Sequence, residues 1–295
     1  MSKKALKSRV YTDGVARYRD LLYVMSKDKK LLEREVSHSS VVALDGEEWV
    51  NVIDAPWDST AIAIALPTKK MVLVGEDGQV LTYVGGDSEK EQIKPQPRMI
   101  RRAKAIDGCV HACGVGREVF RRAGERVWQS MHATKPKPNE KVGFEAIDGF
   151  SQKEIYAVGW RGEIWQFDGA VWVHCGSGLT NLILTSVCCA ENDVVYVAGQ
   201  QGILIRGRRD TWEIVQWDDE FDTDFWDVLW FKKELYLATM TGLYTLKDDQ
   251  LVPVEFDDTV DPTCYRLSTA EGVLWSIGAS DVMSFDGKRW RNHTR

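Results

Sequence analysis

No stretch of the 295-residue sequence is both long and apolar enough to cross a bilayer as a helix. The longest apolar runs, such as AIAIAL at 61–66, fall far short of the roughly 20 residues that a span needs. The opening MSKKALKSRVYTDG is basic but no apolar segment follows it, so it does not read as a secretory leader, and a cytoplasmic protein without membrane attachment is expected. Metal-binding patterns are missing as well. The six cysteines (Cys109, Cys113, Cys175, Cys188, Cys189, Cys264) contain no CxxC pair. The five histidines stand in no HExxH or comparable spacing. The cysteines read instead as small buried hydrophobes in a reducing compartment, and no metal or cofactor is expected. Positive charge is in deficit, with 38 Lys and Arg against 44 Asp and Glu and a net charge of −6. That balance argues against a phosphate-neutralising surface for nucleic acid and suits a basic partner. There is no GxSxG elbow, and GEDG, GWRG and Gly85-Gly86 are turns, because no helical pattern follows them to cradle a phosphate. With no catalytic constellation in view, the chain does not read as an enzyme.

What the sequence has in excess is tryptophan, twelve in all, and the reason lies in a repeat. When IYAVGWRGEIWQFDGAVW (155–172) is set above VVYVAGQQGILIRGRRDTW (194–212), Tyr156 meets Tyr196, Gly159 meets Gly199, Gly162 meets Gly202 and Trp172 meets Trp212, each 40 residues on. The pattern extends upstream through MVLVGEDGQVLTYV (71–84) and CVHACGVGREVFRRAGERVW (109–128), and downstream through ELYLATMTGLYTLKDDQL (234–251) and VLWSIGASDVMSFDGKRW (273–290). At the front, LLYVMS (21–26) and VVALDGEEW (41–49) make one unit split by KDKKLLEREVSHSS. That makes seven units. Asp-Gly pairs at 45–46, 168–169 and 286–287, each followed three residues later by Trp, mark tight hairpin turns.

Seven units of four short strands, with a period near 40, predict an all-β fold: a single seven-bladed β-propeller of four-stranded antiparallel blades. One domain, 1–295, is expected, with blades at about 8–50, 51–98, 99–131, 140–176, 180–217, 221–255 and 262–293. Trp49, Trp128, Trp172, Trp212 and Trp290 recur at one blade position and are expected to pack between blades. The ring could close by packing alone, or residues 5–11 could add a strand to blade 7.

Residues 155–212 resemble the repeats of bacterial β-propeller proteins, WD40-like in general form, that read D-V-W-A-V-G, then G-x-I, then aromatic-D-G-x-x-W. The resemblance implies the fold and no particular activity. DGxxW is also similar to the Asp-box of sialidases, S-x-D-x-G-x-x-W, but Asp168 adjoins Gly169 directly and Gln166 stands where the Ser would be, so sialidase activity is not carried over.

In a propeller the d-to-a and b-to-c connections share one face, here called the top, and the long connections fall there: 27–40, 85–98 and 132–141. The richest is WDDEFDTDFWD (217–227), which places Asp218, Asp219, Glu220, Asp222 and Asp224 among Trp and Phe. Trp57 and Asp58 stand on the first such loop, and Asp257 and Asp258 on a later one. Asp77, Trp160, Arg161, Gln200 and Gln201 occupy b-to-c turns. Together they predict an acidic rim with exposed aromatics, which suits recognition of a basic protein. Trp226 is expected in the core. The leading expectation is a non-catalytic, monomeric protein-binding propeller, in one version an immunity or inhibitor protein that plugs a toxin or enzyme. The alternatives are a glycan-binding or glycan-cleaving propeller and a scaffold subunit.

Overall fold

A computed structural model describes residues 1–256 and 262–294. Seven four-stranded antiparallel sheets, each drawn from one contiguous run of chain, stand side by side as blades of a ring. Every sheet pairs its strands in the order a-b-c-d. The a strands, from Arg9–Tyr18 in blade 1 round to Arg266–Ala270 in blade 7, lie next to one another and line a central channel. Blade 4 shows the plan: Phe144–Ser151, Glu154–Gly159, Ile164–Phe167 and Trp172–Cys175. Its b strand is buried from Ile155 to Gly159, and Tyr156 is wholly enclosed.

The repeated residues are those on which blade contacts depend. Strand d of blade 4 packs Trp172 toward blade 3, with its indole donating to the Met131 carbonyl at 2.6 Å. Trp128, Trp212 and Trp290 likewise face the preceding blade, and Trp49 of blade 1 faces blade 7. Blade 6 lacks the Trp, and Leu251 packs toward blade 5 in its place. The glycine that ends strand b has an equally direct cause. A Cβ on Gly159 would lie 2.0 Å from the Gly143 carbonyl oxygen, and one on Gly114 1.9 Å from that of Met99. Those carbonyls accept hydrogen bonds from the residues after the glycines, Trp160 and Val115, at 2.9 Å. The close approach of strand a therefore admits no side chain there.

The ring closes by packing. Tyr11, Leu22, Val24 and Trp49 of blade 1 form one apolar cluster with Val273, Trp275 and Ile277 of blade 7. The Tyr11 amide donates to Ala279 O at 2.9 Å, the Ala16 amide to Ser268 Oγ at 2.9 Å, and the Trp49 indole to His293 O at 2.8 Å. Residues 5–11 add no fifth strand to blade 7; Lys3–Lys7 form a short helix and Arg9 begins strand a of blade 1.

Two segments differ from expectation. Strand d of blade 1, Glu48–Ala55, passes the boundary expected at 50. The stretch 85–98 is not one long top loop: Gly85 and Gly86 turn a hairpin on the opposite face, and Asp87–Gln92 is strand d of blade 2. Its charged run EKE reads as a loop in sequence, yet Glu91 points inward to Arg122 and the Trp128 indole. Two of the basic groups on the lower face are firmly paired. Arg208 binds Glu154 at 2.7 and 2.8 Å, and Arg206 binds Glu213 and Asp249.

Candidate functional site: the mouth of the channel and its acidic border

The top face is built from turns that hold their shape without help from a partner. In blades 4 and 5 the b-to-c connection is the same single turn, Trp160–Gly162 and Gln200–Gly202, with the middle residue in the left-handed region (Arg161 φ 63°, Gln201 φ 54°). The glycine that follows is required twice over. Gly202 has φ +70°, and a Cβ would sit 2.4 Å from the Phe221 carbonyl. That contact shows how the acidic d-to-a segment is seated: it wraps the blade 5 turn. The Trp217 indole donates to Gly202 O at 2.9 Å, and Asp224 accepts the Gln201 amide at 2.9 Å. Phe221 stacks on Phe225 at 5.2 Å and meets Tyr244 edge-on at 5.3 Å. The aromatics of this loop thus point inward, contrary to the exposed aromatics expected from sequence, because apolar rings beside a sheet edge bury themselves while carboxylates stay solvated. Asp218, Asp219, Glu220 and Asp222 remain exposed. Asp227, which closes the same acidic run, is buried in the channel wall.

The other expected rim residues divide. Asp77, Arg161 and Gln201 are exposed on their turns. Asp58 is half-buried and bound by Lys27 and by Ser37 at 2.7 Å. Burial alone would raise its pKa, but Lys27 and Ser37 outweigh that and hold it below the ordinary carboxylate value. Trp57 is half-buried against the blade 1–2 cluster. Gln200 accepts the Ile183 amide at 3.1 Å and so braces the loop. Trp160 donates to Glu145 at 2.6 Å. Asp257 and Asp258 lie outside the described residues.

Inside this border the channel opens into a cavity of about 510 Å³. Its wall holds residues that sequence reasoning passed over: Lys27, Arg101, Glu145, Tyr265 and Arg266. Trp226 belongs here too. It is half-buried, 5.1 Å from the Tyr265 ring, and lines the mouth, whereas its neighbour Phe225 takes the core position expected for it. Glu145 is held by Arg101 Nε at 3.0 and 3.1 Å. One residue further along the same strands, Arg102 of blade 3 spans to Asp227 of blade 6 at 3.0 Å and to Asp13 of blade 1 at 3.8 Å. Asp227 also accepts Ser186 Oγ at 2.6 Å and the Leu267 amide at 2.9 Å, which ties four further blades to Arg102. Burial pushes the Asp227 pKa up, but Arg102, Arg266 and these donors bring it below the ordinary value. The throat therefore sets four cations, Lys27, Arg101, Arg102 and Arg266, among four carboxylates, Asp13, Asp58, Glu145 and Asp227, while its outer border is acidic. The residue types were in plain sight, but which of them point into the channel depends on strand register.

His111 and His132 take structural places. His111 is fully buried, its Nδ1 3.0 Å from Cys109 O, and burial lowers its pKa to about 4. His132 stands edge-on to Phe120 at 4.7 Å. Among the described residues no group of three His, Cys, Asp or Glu is placed to hold a metal ion, and no helix is long and apolar enough to cross a membrane.

Comparison with known proteins follows the fold and then goes further. No family model matches the chain. The chain is 43% identical over 291 residues to the immune protein Tsi7 of Pseudomonas aeruginosa, covering 94% of each sequence. Among solved structures it is similar to a streptogramin B lyase (TM-score 0.73, 8% identity, 97% of this chain and 94% of the other). It is also similar to YCF48 bound to D1 peptide (TM-score 0.69, 15% identity, 94% and 91%) and to the WD40 repeats of RRP9 (TM-score 0.69, 10% identity, 92% and 88%). At such identities these structures share the propeller fold and nothing finer.

Proposed function

The chain belongs to the family of the immune protein Tsi7, and on that premise we propose that it is an immunity protein that binds and neutralises a protein toxin with its top face. The observation that carries the surface assignment is the 215–226 loop. Four exposed carboxylates, Asp218, Asp219, Glu220 and Asp222, stand on a segment locked by Trp217, Phe221 and Asp224. A preorganised loop loses little freedom on binding. A cluster of like charge speeds encounter with a basic partner and rejects acidic ones. In this reading the protein acts by occupancy rather than by turnover, as a cytoplasmic monomer. The engagement of Glu145, the carboxylate at the mouth, by three hydrogen bonds from Arg101 and Trp160 fits a structural role better than an acid–base one. The relative does not favour the glycan-binding or scaffold readings.

The test begins with capture of the tagged protein's partner from its native host at low and high salt. The captured protein is then expressed alone and together with this chain. Growth arrest by the partner and rescue by co-expression are the expected results. Reversal of Asp218, Asp219 and Asp222 to lysine is expected to slow association about tenfold or more at low salt, with the difference shrinking as salt rises. Reversal of Asp45 and Glu48, exposed on the opposite face, is expected to leave it unchanged. Equal association rates for the two triple- and double-reversal variants would remove the acidic loop from the mechanism.

A further inference from the structure

Unlike the acidic loop beside it, the throat sets cations against carboxylates, and one cation, Arg266, is left without a close carboxylate partner among the described residues. Arg266 lies in the cavity wall with its Cζ 4.6 Å from the Tyr265 ring centroid and its Nη1 donating to Trp226 O at 2.8 Å. Among the described residues no carboxylate lies within ion-pair distance of it, and its Nε has no hydrogen-bond partner. The hydroxyls of Ser59 and Thr60, on the same wall, are also buried without a partner, and Ser59 is 6% exposed. The carboxylates that act on it, Asp13 and Asp227, are already bound to Arg102, and a guanidinium taken out of water without a direct counter-ion is costly, as are buried hydroxyls without partners. Such groups gathered at a cavity of about 510 Å³, within the usual range for ligand sites, mark a place completed by something else. The rest of its wall combines Lys27 and the paired Arg101 and Glu145 with the apolar surfaces of Trp226, Tyr265 and Met240, the last 55% exposed at the lip.

We infer that the throat receives a protruding loop of the partner that carries an aspartate or glutamate side chain, which binds Arg266 while apolar neighbours cover Trp226 and Met240. The inference rests on the immunity reading and sharpens it. A carboxylate accepts from a guanidinium and from hydroxyls at once, so one group satisfies Arg266 together with Ser59 or Thr60. A neutral or cationic tip would leave Arg266 unpaired or repelled. The acidic loop and the unpaired Arg266 then act as a filter, since the partner must be basic where it meets the 218–222 loop and acidic at the point that reaches Arg266.

The experiment has two arms. In the first, N-acetyl-glutamate methylamide and its glutamine counterpart are titrated into the whole protein, and the indole resonance of Trp226, assigned with Trp226→Phe, is followed by NMR. The glutamate is expected to shift it and the glutamine not. In the second, affinity for the toxin identified above is measured for Arg266→Gln, Arg266→Lys and Met240→Glu. Arg266→Gln is expected to weaken binding about tenfold or more, and Arg266→Lys to restore part of it. Met240→Glu, a lip substitution that leaves the channel wall intact, is expected to weaken binding by repelling the incoming carboxylate. A glutamate that causes no shift, or a toxin that binds Arg266→Gln and Met240→Glu as it binds the wild type, overturns the throat inference and leaves the immunity reading standing. A protein that rescues cells from no toxin overturns the immunity reading, whatever the titration gives.

Discussion

His111 shows how much one residue can reveal about the state of the fold. Its ring is fully buried, and burial rather than the nearby Arg121 is the larger cause of a pKa near 4. In the unfolded chain the same imidazole takes up its proton near 6.5. Between these values the unfolded state binds more protons than the folded one, so stability falls as pH falls from 6.5 toward 4. Below 4 both states are protonated and this contribution stops changing. Denaturant midpoints measured across that window are expected to decline for the wild type and to decline less for His111→Gln. The repeat places His111 in CVHACG, a strand b of the third unit. His132 offered no such frame, since it stands outside the repeat.

At the scale of the element, the instructive unit is the three-residue b-to-c turn. Its glycines were legible as a repeated spacing, but the reason for them was not, because the atom that excludes a side chain at Gly202 belongs to Phe221 on another segment. Gly202→Ala must displace the Phe221 carbonyl and also hold an alanine at φ +70°. The expected cost is about 2 kcal/mol or more, read as a lowered denaturant midpoint. Because the acidic loop is seated on this turn, the same variant is expected to weaken partner binding beyond what its stability loss explains. Gly85→Ala, on a lower-face hairpin with open space around it, is expected to cost about 1 kcal/mol and to leave binding unchanged. The 217–227 run was legible as acidic. That its rings turn inward and Asp227 turns into the channel was not, for sequence gives the composition of a loop without its direction.

For the whole molecule, stability lies in contacts that no single blade can make. Each apolar cluster joins two neighbouring blades, and the last joins blade 7 to blade 1. The Arg102–Asp227–Asp13 belt crosses the channel and binds strands that are far apart in the chain. Removing one member of a buried ionic group strands the others, so Arg102→Gln is expected to cost about 3–5 kcal/mol. Arg102→Gln combined with Asp227→Asn is expected to recover part of that loss, which thermal unfolding of the single and double variants would read directly.

By itself the sequence determined the number of blades, their strand order and the tryptophan seams. The physical reason is that each blade repeats the same neighbour contacts, so the same residue types return every 40 positions. Only the tertiary structure decided the chemistry of the throat. Lys27, Arg101, Glu145, Trp226 and Arg266 come from five different blades and meet because the a strands form a ring. Their convergence at the mouth is set by register and by ring closure, which bring together residues more than 200 positions apart and leave no periodic trace along the chain.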